Sequence, residues 1–443
     1  MTNTTKKINS SFRDPSGEVY WSDNRLFRSV SPEYLATYQQ LRTSGLYEAL
    51  VASGLLIPHQ DIQADWVTIL EPEIIPFISY PYEWCFSAYK DAALVTLRIA
   101  EIAIEHGMIL KDASTYNIQF KDGKPLLIDT LSFDKYQEGE PWKAYRQFCQ
   151  HFLAPLALMS VVDPRLGRMM ETHIDGIPLD LASHMLPKHK FNFGILAHIH
   201  SQAAAQNHIH KPSGLRLSKT SLLGLLRNLR NTVNSLRVHA GKGWSDYKHD
   251  TSYSEIAADS KKDIVQNFLT KVKPETVWDM GANDGSYSIL AAKYASTVVA
   301  FDSDVHCIDA CYRDYRESVL SLVLDLTNPS SGIGWAGKER MSLIERGPAD
   351  LIMALALVHH LAIGNNTPLN MIAEWFHSLG EWLIIERVPK EDPQVQKLLS
   401  SRVDIFANYT GCHFEHEFSK YYDIKEKKMI KESARCIYLL RAK

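Results

Sequence analysis

From Tyr253 to the end of the chain, short apolar runs alternate with stretches whose apolar residues recur every three or four positions. That is the pattern of buried parallel strands joined by crossover helices. Val277 to Met280 predicts a short strand, Ser286 to Tyr294 a helix, and Thr297 to Phe301 a second strand closed by Asp302. Val323 to Leu326, Asp350 to Leu357 and Trp382 to Glu386 predict three more strands, and Tyr421 to Ile424 with Arg435 to Leu440 a terminal pair. Upstream the pattern is mixed. It predicts strands at Glu18 to Ser22, Arg25 to Val30, Val67 to Leu70 and Ile75 to Ile78, with helices from Glu33 to Ser53 and Ala88 to His106. A hairpin follows, Ile118 to Phe120 and Pro125 to Ile128 around Lys121-Asp122-Gly123.

Between these regions, Ser218 to Val238 predicts a helix, because Leu222, Leu225, Leu226, Leu229, Val233 and Leu236 form a stripe opposite Lys219, Arg227, Arg230 and Arg237. A basic amphipathic helix can lie on an anionic membrane, so peripheral membrane contact through 218–238 is one reading. Packing the stripe against a domain is the other, favoured because Gly and Asn interrupt the stripe and no aromatic residue anchors it. The expected division is 1–200, a linker 201–250 carrying this helix, and 251–443.

Composition narrows the function class. The chain has 443 residues, too many for one ordinary core, and its 45% hydrophobic content fits a globular protein. A net charge of −3 gives no basic excess for a phosphate backbone, so nucleic acid is not an expected partner. The first residues are polar and no run of about 18 apolar residues occurs, which makes a cytoplasmic location the expectation. Six cysteines have no paired CxxC spacing, and Cys307 and Cys311 read as buried thiols. His198, His200, His208 and His210 resemble a metal cluster at first sight, but alternate helical positions point apart and no carboxylate or cysteine accompanies them.

The segment TVWDMGANDGSYSILAAKYASTVVAFDSD carries the chemistry: strand, glycine turn, helix, strand, acid. Glycines at the carboxyl end of a strand let bare main chain approach a ligand, and an acid about 20 residues on can accept hydrogen bonds from ribose hydroxyls. Asp302 lies 21 positions after Gly281. A dinucleotide fingerprint would need G-x-G-x-x-G; here Asp279 precedes Gly281 and Gly285 instead, placing a carboxylate where a positive ligand end could be held.

D-x-G-x-x-x-G resembles motif I of the class I S-adenosylmethionine (SAM)-dependent methyltransferases. The resemblance spans residues 253 to 443 and implies an α/β Rossmann-like seven-stranded methyltransferase domain. It implies that Asp279, Gly281, Asn283 and Gly285 hold the methionine end of SAM, that Asp302 holds the ribose, and that Asp325 lies where the family contacts adenine. His359 and His360, after the fourth strand, are candidates for a base that takes the acceptor's proton, or are structural. No N-P-P-Y-like motif and no Pro-Cys dipeptide follows that strand, which disfavours amide or adenine N-methylation and cytosine C5-methylation. Small or glycan-linked oxygen acceptors are the expectation.

In the first region, Asp112 is followed by Asn117, the hairpin and Asp129, an acid and amide set suited to Mg²⁺ and a phosphate tail. The arrangement resembles the catalytic loop and metal-binding acid of protein-kinase-like and aminoglycoside-phosphotransferase folds. The resemblance implies a reduced α+β kinase-like domain preceding the methyltransferase, with Asp112 as base, Asn117 and Asp129 as metal ligands, and ATP with Mg²⁺ as cofactors. It departs from that pattern at several points. Asp14-Pro15-Ser16-Gly17 stands in place of a glycine-rich loop, Arg28 where a kinase has lysine, and Thr130-Leu131 after the acid. Taken together, the chain is similar to bacterial methyltransferases loosely labelled nodulation-related, some of whose kinase-bearing relatives modify surface polysaccharide. The front module would then phosphorylate or grip a sugar acceptor. A bifunctional kinase-methyltransferase and a non-catalytic SAM-binding regulator are the alternatives.

Overall fold

The computed structural model describes residues 5–64, 67–187, 193–206, 216–238 and 253–443. The chain divides into two compact units, one holding the chain up to position 239 together with Gly332–Arg340, the other the remainder.

In the first unit, five strands form an antiparallel sheet in the order β1-β2-β3-β5-β4, from β1 (Lys6–Lys7), β2 (Val19–Ser22), β3 (Arg25–Ser29), β4 (His59–Ala64) and β5 (Val67–Pro72). Two expectations change here. The Glu33 to Ser53 helix is two helices, Pro32–Thr43 and Leu46–Ala52, because Gly45 adopts φ +75° and breaks the ladder. No strand forms at Ile75 to Ile78, and the neighbours of Val67–Pro72 are β3 and His59–Ala64. Pro76 withdraws an amide donor from the later stretch, and the polar His59–Ala64 strand carries no apolar signature.

A 20-residue helix, Phe86–Glu105, forms the spine of the rest of this unit. After it come β6 (Met108–Leu110), the hairpin β7 (Ile118–Lys121) and β8 (Lys124–Leu127), and β9 (Phe133–Lys135), which pairs with β6. The helix Lys219–Ser235, expected in a linker, belongs to this unit and packs on the spine helix. Leu222, Leu226, Leu229 and Val233 are fully buried, Arg230 reaches Glu101 at 2.9 Å, and Lys90 Nζ donates to the Asn234 and Leu236 carbonyls at the helix end. The apolar stripe of this helix is therefore covered by the first unit, as the second of the two readings expects. His198 and His200 are likewise spent on local bonds, His198 on Tyr145 and Asn228 and His200 on Ser183. His208 and His210 lie outside the described residues. The segment 332–340 joins this unit through buried Glu339, which pairs with Arg13 at 2.9 Å, and through Arg340, stacked 4.2 Å over the Tyr116 ring.

The second unit is an α/β layer structure. Its strands are β10 (Thr276–Met280), β11 (Thr297–Asp302), β12 (Leu320–Val323), β13 (Ala349–Ala354), β14 (Gly380–Arg387), β15 (Tyr422–Met429) and β16 (Cys436–Ala442). They form a seven-stranded sheet in the order β12-β11-β10-β13-β14-β16-β15, parallel through β14 and antiparallel at β16 and β15. The third strand lies earlier than expected, at 320–323 and not 323–326, so Asp325 sits in the turn after it. Strand residues Val277, Val298, Leu351, Met353 and Ile384 pack with Val265, Phe268 and Leu269 of the helix Glu255–Val272 into the buried core.

Candidate functional site

The chain runs from β10 outward to β12, then returns across the sheet to β13 on the other side of β10. Where the winding direction of an open parallel sheet reverses, the loops leave the strand ends in opposite directions and open a crevice, the usual ligand position in this architecture. Two loops flank that point: Gly281–Gly285 after β10, and Leu355–His360 after β13.

The first loop is held in an unusual path. Gly281 and Gly285 both adopt φ +80° and Asn283 φ +50°, while the Gly281 and Ala282 amides donate to the Phe301 carbonyl at 2.8 and 2.9 Å. The turn is thereby pinned to β11 and presents main chain at the strand ends. Asp302, closing β11, accepts from the Asn283 amide at 2.8 Å and from the Asp304 amide at 2.9 Å. Burial pushes its carboxyl above the usual range, with those amides opposing. Two amides leave lone pairs on the half-buried carboxylate for further donors. The structure thus brings Gly281, Asn283, Gly285 and Asp302 into one turn.

Asp279 lies at the floor, 2% exposed, accepting from Ser288 Oγ at 2.6 Å. Burial pushes its carboxyl up to about 6, offset by Ser288 and by the field of Lys261. Asp325 accepts from the Thr327 amide and hydroxyl at 2.9 and 2.7 Å, a turn-closing role that leaves its second oxygen without a bond among those two.

The two histidines have different surroundings, although their rings lie 4.2 Å apart. His359 is 2% exposed, its Nδ1 has no hydrogen-bond partner, and burial together with His360 and Arg435 lowers its titration to about 3. His360 has a solvent-exposed face, yet burial lowers its titration from the ordinary histidine value, partly offset by the field of Asp302.

Beside His359 lies a buried charge network that no local motif signalled. Glu386, fully buried at the end of β14, meets Lys261 at 2.8 Å, the Tyr253 hydroxyl, and Arg435 at 3.4 Å. Arg435 grips Asp392 through two bonds of 2.6 and 2.9 Å, and Lys261 stands 4.7 Å over the Tyr287 ring. Burial pushes the Glu386 carboxyl up, but Lys261, Tyr253 and Arg435 outweigh it and hold it below the usual range. These residues are separated by up to 182 positions in sequence. The only hint in the sequence was an acid closing a buried strand.

In the first unit, Asp112, Asn117 and Asp129 also come together. Asp112 accepts from Gln147 at 2.7 Å and from the Ser114 amide at 3.0 Å, and burial, then Asp129, pushes its carboxyl up. Asn117 Nδ2 donates to Ser132 Oγ at 3.3 Å, and Ser132 Oγ donates to Asp129 at 2.6 Å.

Among known proteins, the nodulation protein NoeA of Rhizobium meliloti (strain 1021) is 32% identical over 455 residues, covering 98% of this chain and 95% of NoeA. No protein-family model matches the chain. Solved structures with partial likeness include the magnesium protoporphyrin IX methyltransferase ChlM from Synechocystis PCC 6803 with bound SAH, 16% identical over 45% of this chain and 93% of that one, TM-score 0.32. The N-methyltransferase NodS from Bradyrhizobium japonicum WM9 is 10% identical over 43% of this chain and 98% of that one, TM-score 0.31. At full-length coverage and nearly one residue in three shared, this chain belongs to the family of the nodulation protein NoeA.

Proposed function

We propose that the second unit is a SAM-dependent methyltransferase that methylates an oxygen of a small-molecule or glycan-linked acceptor. The observation that carries this reading is the pinned turn Gly281–Gly285 beside Asp302 at the sheet's switch point. The residues suit the group: Asp302 retains lone pairs for ribose hydroxyls, and Asp279 is a buried carboxyl short of a full positive partner, which the cationic methionine end of SAM would supply. Asp325, in the turn beyond β12, is the adenine-side candidate. Bound SAM supplies an electrophilic methyl group for in-line displacement. The protein's share is alignment of donor and acceptor at near-attack distance, and removal of one proton.

For that proton we favour His360 over His359. The inner ring is held neutral by burial and far from titration near pH 7; burial lowers His360 as well, but the field of Asp302 opposes that shift and the ring reaches solvent. His359 and the Glu386–Lys261–Arg435 network would hold the ring pair and the β13 loop in place.

We read the first unit as kinase-like. The support is the order of its parts: a five-stranded antiparallel sheet with helices inserted between β3 and β4, then Tyr80-Pro81-Tyr82, the spine helix, the Asp112–Asn117 loop, the β7–β8 hairpin and Asp129. In this reading the unit grips the acceptor. Among the described residues, no helix is long and apolar enough to cross a membrane.

Isothermal titration of the purified chain with SAM and S-adenosylhomocysteine tests the core of the proposal. Heat of binding that Asp302→Ala abolishes is the expected result. A chain that binds neither compound, or an Asp302→Ala variant that binds as wild type, ends it. Tritiated SAM incubated with cell extract then distinguishes a methylated acceptor from binding alone.

A further inference from the structure

The kinase-like reading of the first unit calls for a divalent cation between Asn117 and Asp129, and the residues present do not fit one. Asp129 is 9% exposed and three protein donors already occupy most of its acceptor sites, one of them a cation. Arg28 Nη1 lies 2.8 Å from Oδ1, the Leu131 amide donates to Oδ1 at 3.0 Å, and Ser132 Oγ donates to Oδ2 at 2.6 Å. The other arm of the same guanidinium pairs with Asp14, in the stretch that stands where a phosphate-binding loop would be. Asn117 Nδ2 donates to Ser132 Oγ at 3.3 Å, so the misfit is carried by Asp129 and not by the Asn117 oxygen.

The Asp14–Gly17 stretch is drawn inward as well. Asp14 accepts from the Ser16 amide at 2.8 Å, Ser16 is 4% exposed, and Lys111 Nζ, beside Asp112 in sequence, donates to Ser16 Oγ at 2.9 Å. A Cβ added at Gly17 would stand 1.9 Å from the Ser29 carbonyl and 3.1 Å from Leu131 Cδ1, so this stretch abuts both β3 and the turn after Asp129. Arginine is suited to the task. A planar guanidinium that cannot lose its proton bridges two carboxylates at once, which a lysine ammonium at the same place does less well.

We propose that Arg28 is a built-in replacement for the divalent cation: its guanidinium neutralises Asp129 and Asp14 together, and the unit works as a closed, nucleotide-independent module. The inference rests on the kinase-like reading, since only there is Asp129 a metal acid. It leaves that unit a binding role in place of phosphotransfer.

The test uses the full chain and two probes, MnCl₂ alone and MgATP, followed by thermal shift and by titration calorimetry. Wild type is expected to respond to neither. Arg28→Gln keeps the stem and one donor but removes the charge; it should melt lower and gain Mn²⁺ binding, at least roughly tenfold tighter than wild type, with recovery of the lost Tm. Arg28→Ala serves the same purpose if the glutamine bridges poorly. Wild type stabilised by MgATP beyond MnCl₂ or MgCl₂ alone, with the response lost in Asp129→Asn, would overturn the internal-cation assignment and leave the kinase-like reading standing. Folded Arg28→Gln and Arg28→Ala proteins that stay indifferent to Mn²⁺ would overturn both.

Discussion

Replacing Gly285 by alanine probes the turn on which the SAM reading depends, and its cost can be worked from the structure. Gly285 has φ +80° and ψ +10° at the start of the helix Ser286–Ala291. An L-residue in that left-handed region loses about 1–2 kcal/mol through the contact of its Cβ with the backbone. The new methyl would also stand 2.3 Å from Cys311 Sγ and 3.2 Å from Tyr315 Cδ2. Cys311 is fully buried, its sulfur accepts from Ser321 Oγ at 3.1 Å, and it has no open space to retreat into. Overpacking of this kind adds about 1–3 kcal/mol. The total, about 2–5 kcal/mol, divides into a backbone part and a steric part. Cys311→Ala removes the obstructing sulfur, so in that background the alanine should cost only the backbone part. The coupling between the two substitutions is then about 1–3 kcal/mol. Because the chain has two units, the assay should resolve the second one, and hydrogen exchange of peptides covering 276–302 under increasing urea does so. A penalty below about 1 kcal/mol, or one that is the same with and without the Cys311 sulfur, would refute this account of the turn.

Further outcomes follow from the same physical arguments. Asp279 has a folded-state value raised to about 6 from the usual 3.8, so the native unit holds its proton more tightly and loses stability as pH rises through that window; Asp279→Asn should remove that slope. A cationic ligand prefers the ionised carboxyl, so SAM affinity should climb with pH through about 6 and level off above it, and a flat calorimetric profile from pH 5 to 8 would count against Asp279 as a partner. Lys261→Met leaves fully buried Glu386 without its nearest cation and should cost about 3–5 kcal/mol in chemical unfolding, with a smaller loss when Glu386→Leu is made as well. Leu226→Ala should destabilise the first unit by about 2–5 kcal/mol, and the wild-type protein should fail to co-sediment with phosphatidylserine vesicles, because that stripe already faces the spine helix.

The second unit was largely legible from residue order. A parallel strand buried on both faces reads as a continuous apolar run, so β10, β11, β13 and β14 stood out, and the glycines and acids at their carboxyl ends are local features fixed within a few positions. Asp279, Gly281, Asn283, Gly285 and Asp302 are therefore candidates that the sequence alone singles out. Where apolar patterning was weak, the reading slipped. The strand His59–Ala64 has no apolar run, Gly45 breaks a stretch whose periodicity continues through it, and β12 begins three residues before the run that predicts it.

Contacts between residues far apart in the chain were decided only by the tertiary structure. Nothing in periodicity reveals that Tyr253, Lys261, Glu386 and Arg435 converge on one buried cluster, because each belongs to a different element and their mutual selection is electrostatic. The two adjacent histidines were equivalent as letters; the fold separated them, since burial lowers both, but His359 is 2% exposed and lies in the field of Arg435 while His360 reaches solvent and its shift is partly offset by Asp302. The same holds for the first unit. The sequence supplied Asp112, Asn117, Asp129 and Arg28, but only folding showed that the arginine reaches the acid. Whether a carboxylate is a ligand or already satisfied depends on what lies within 3 Å of it, and that is a property of the packed chain.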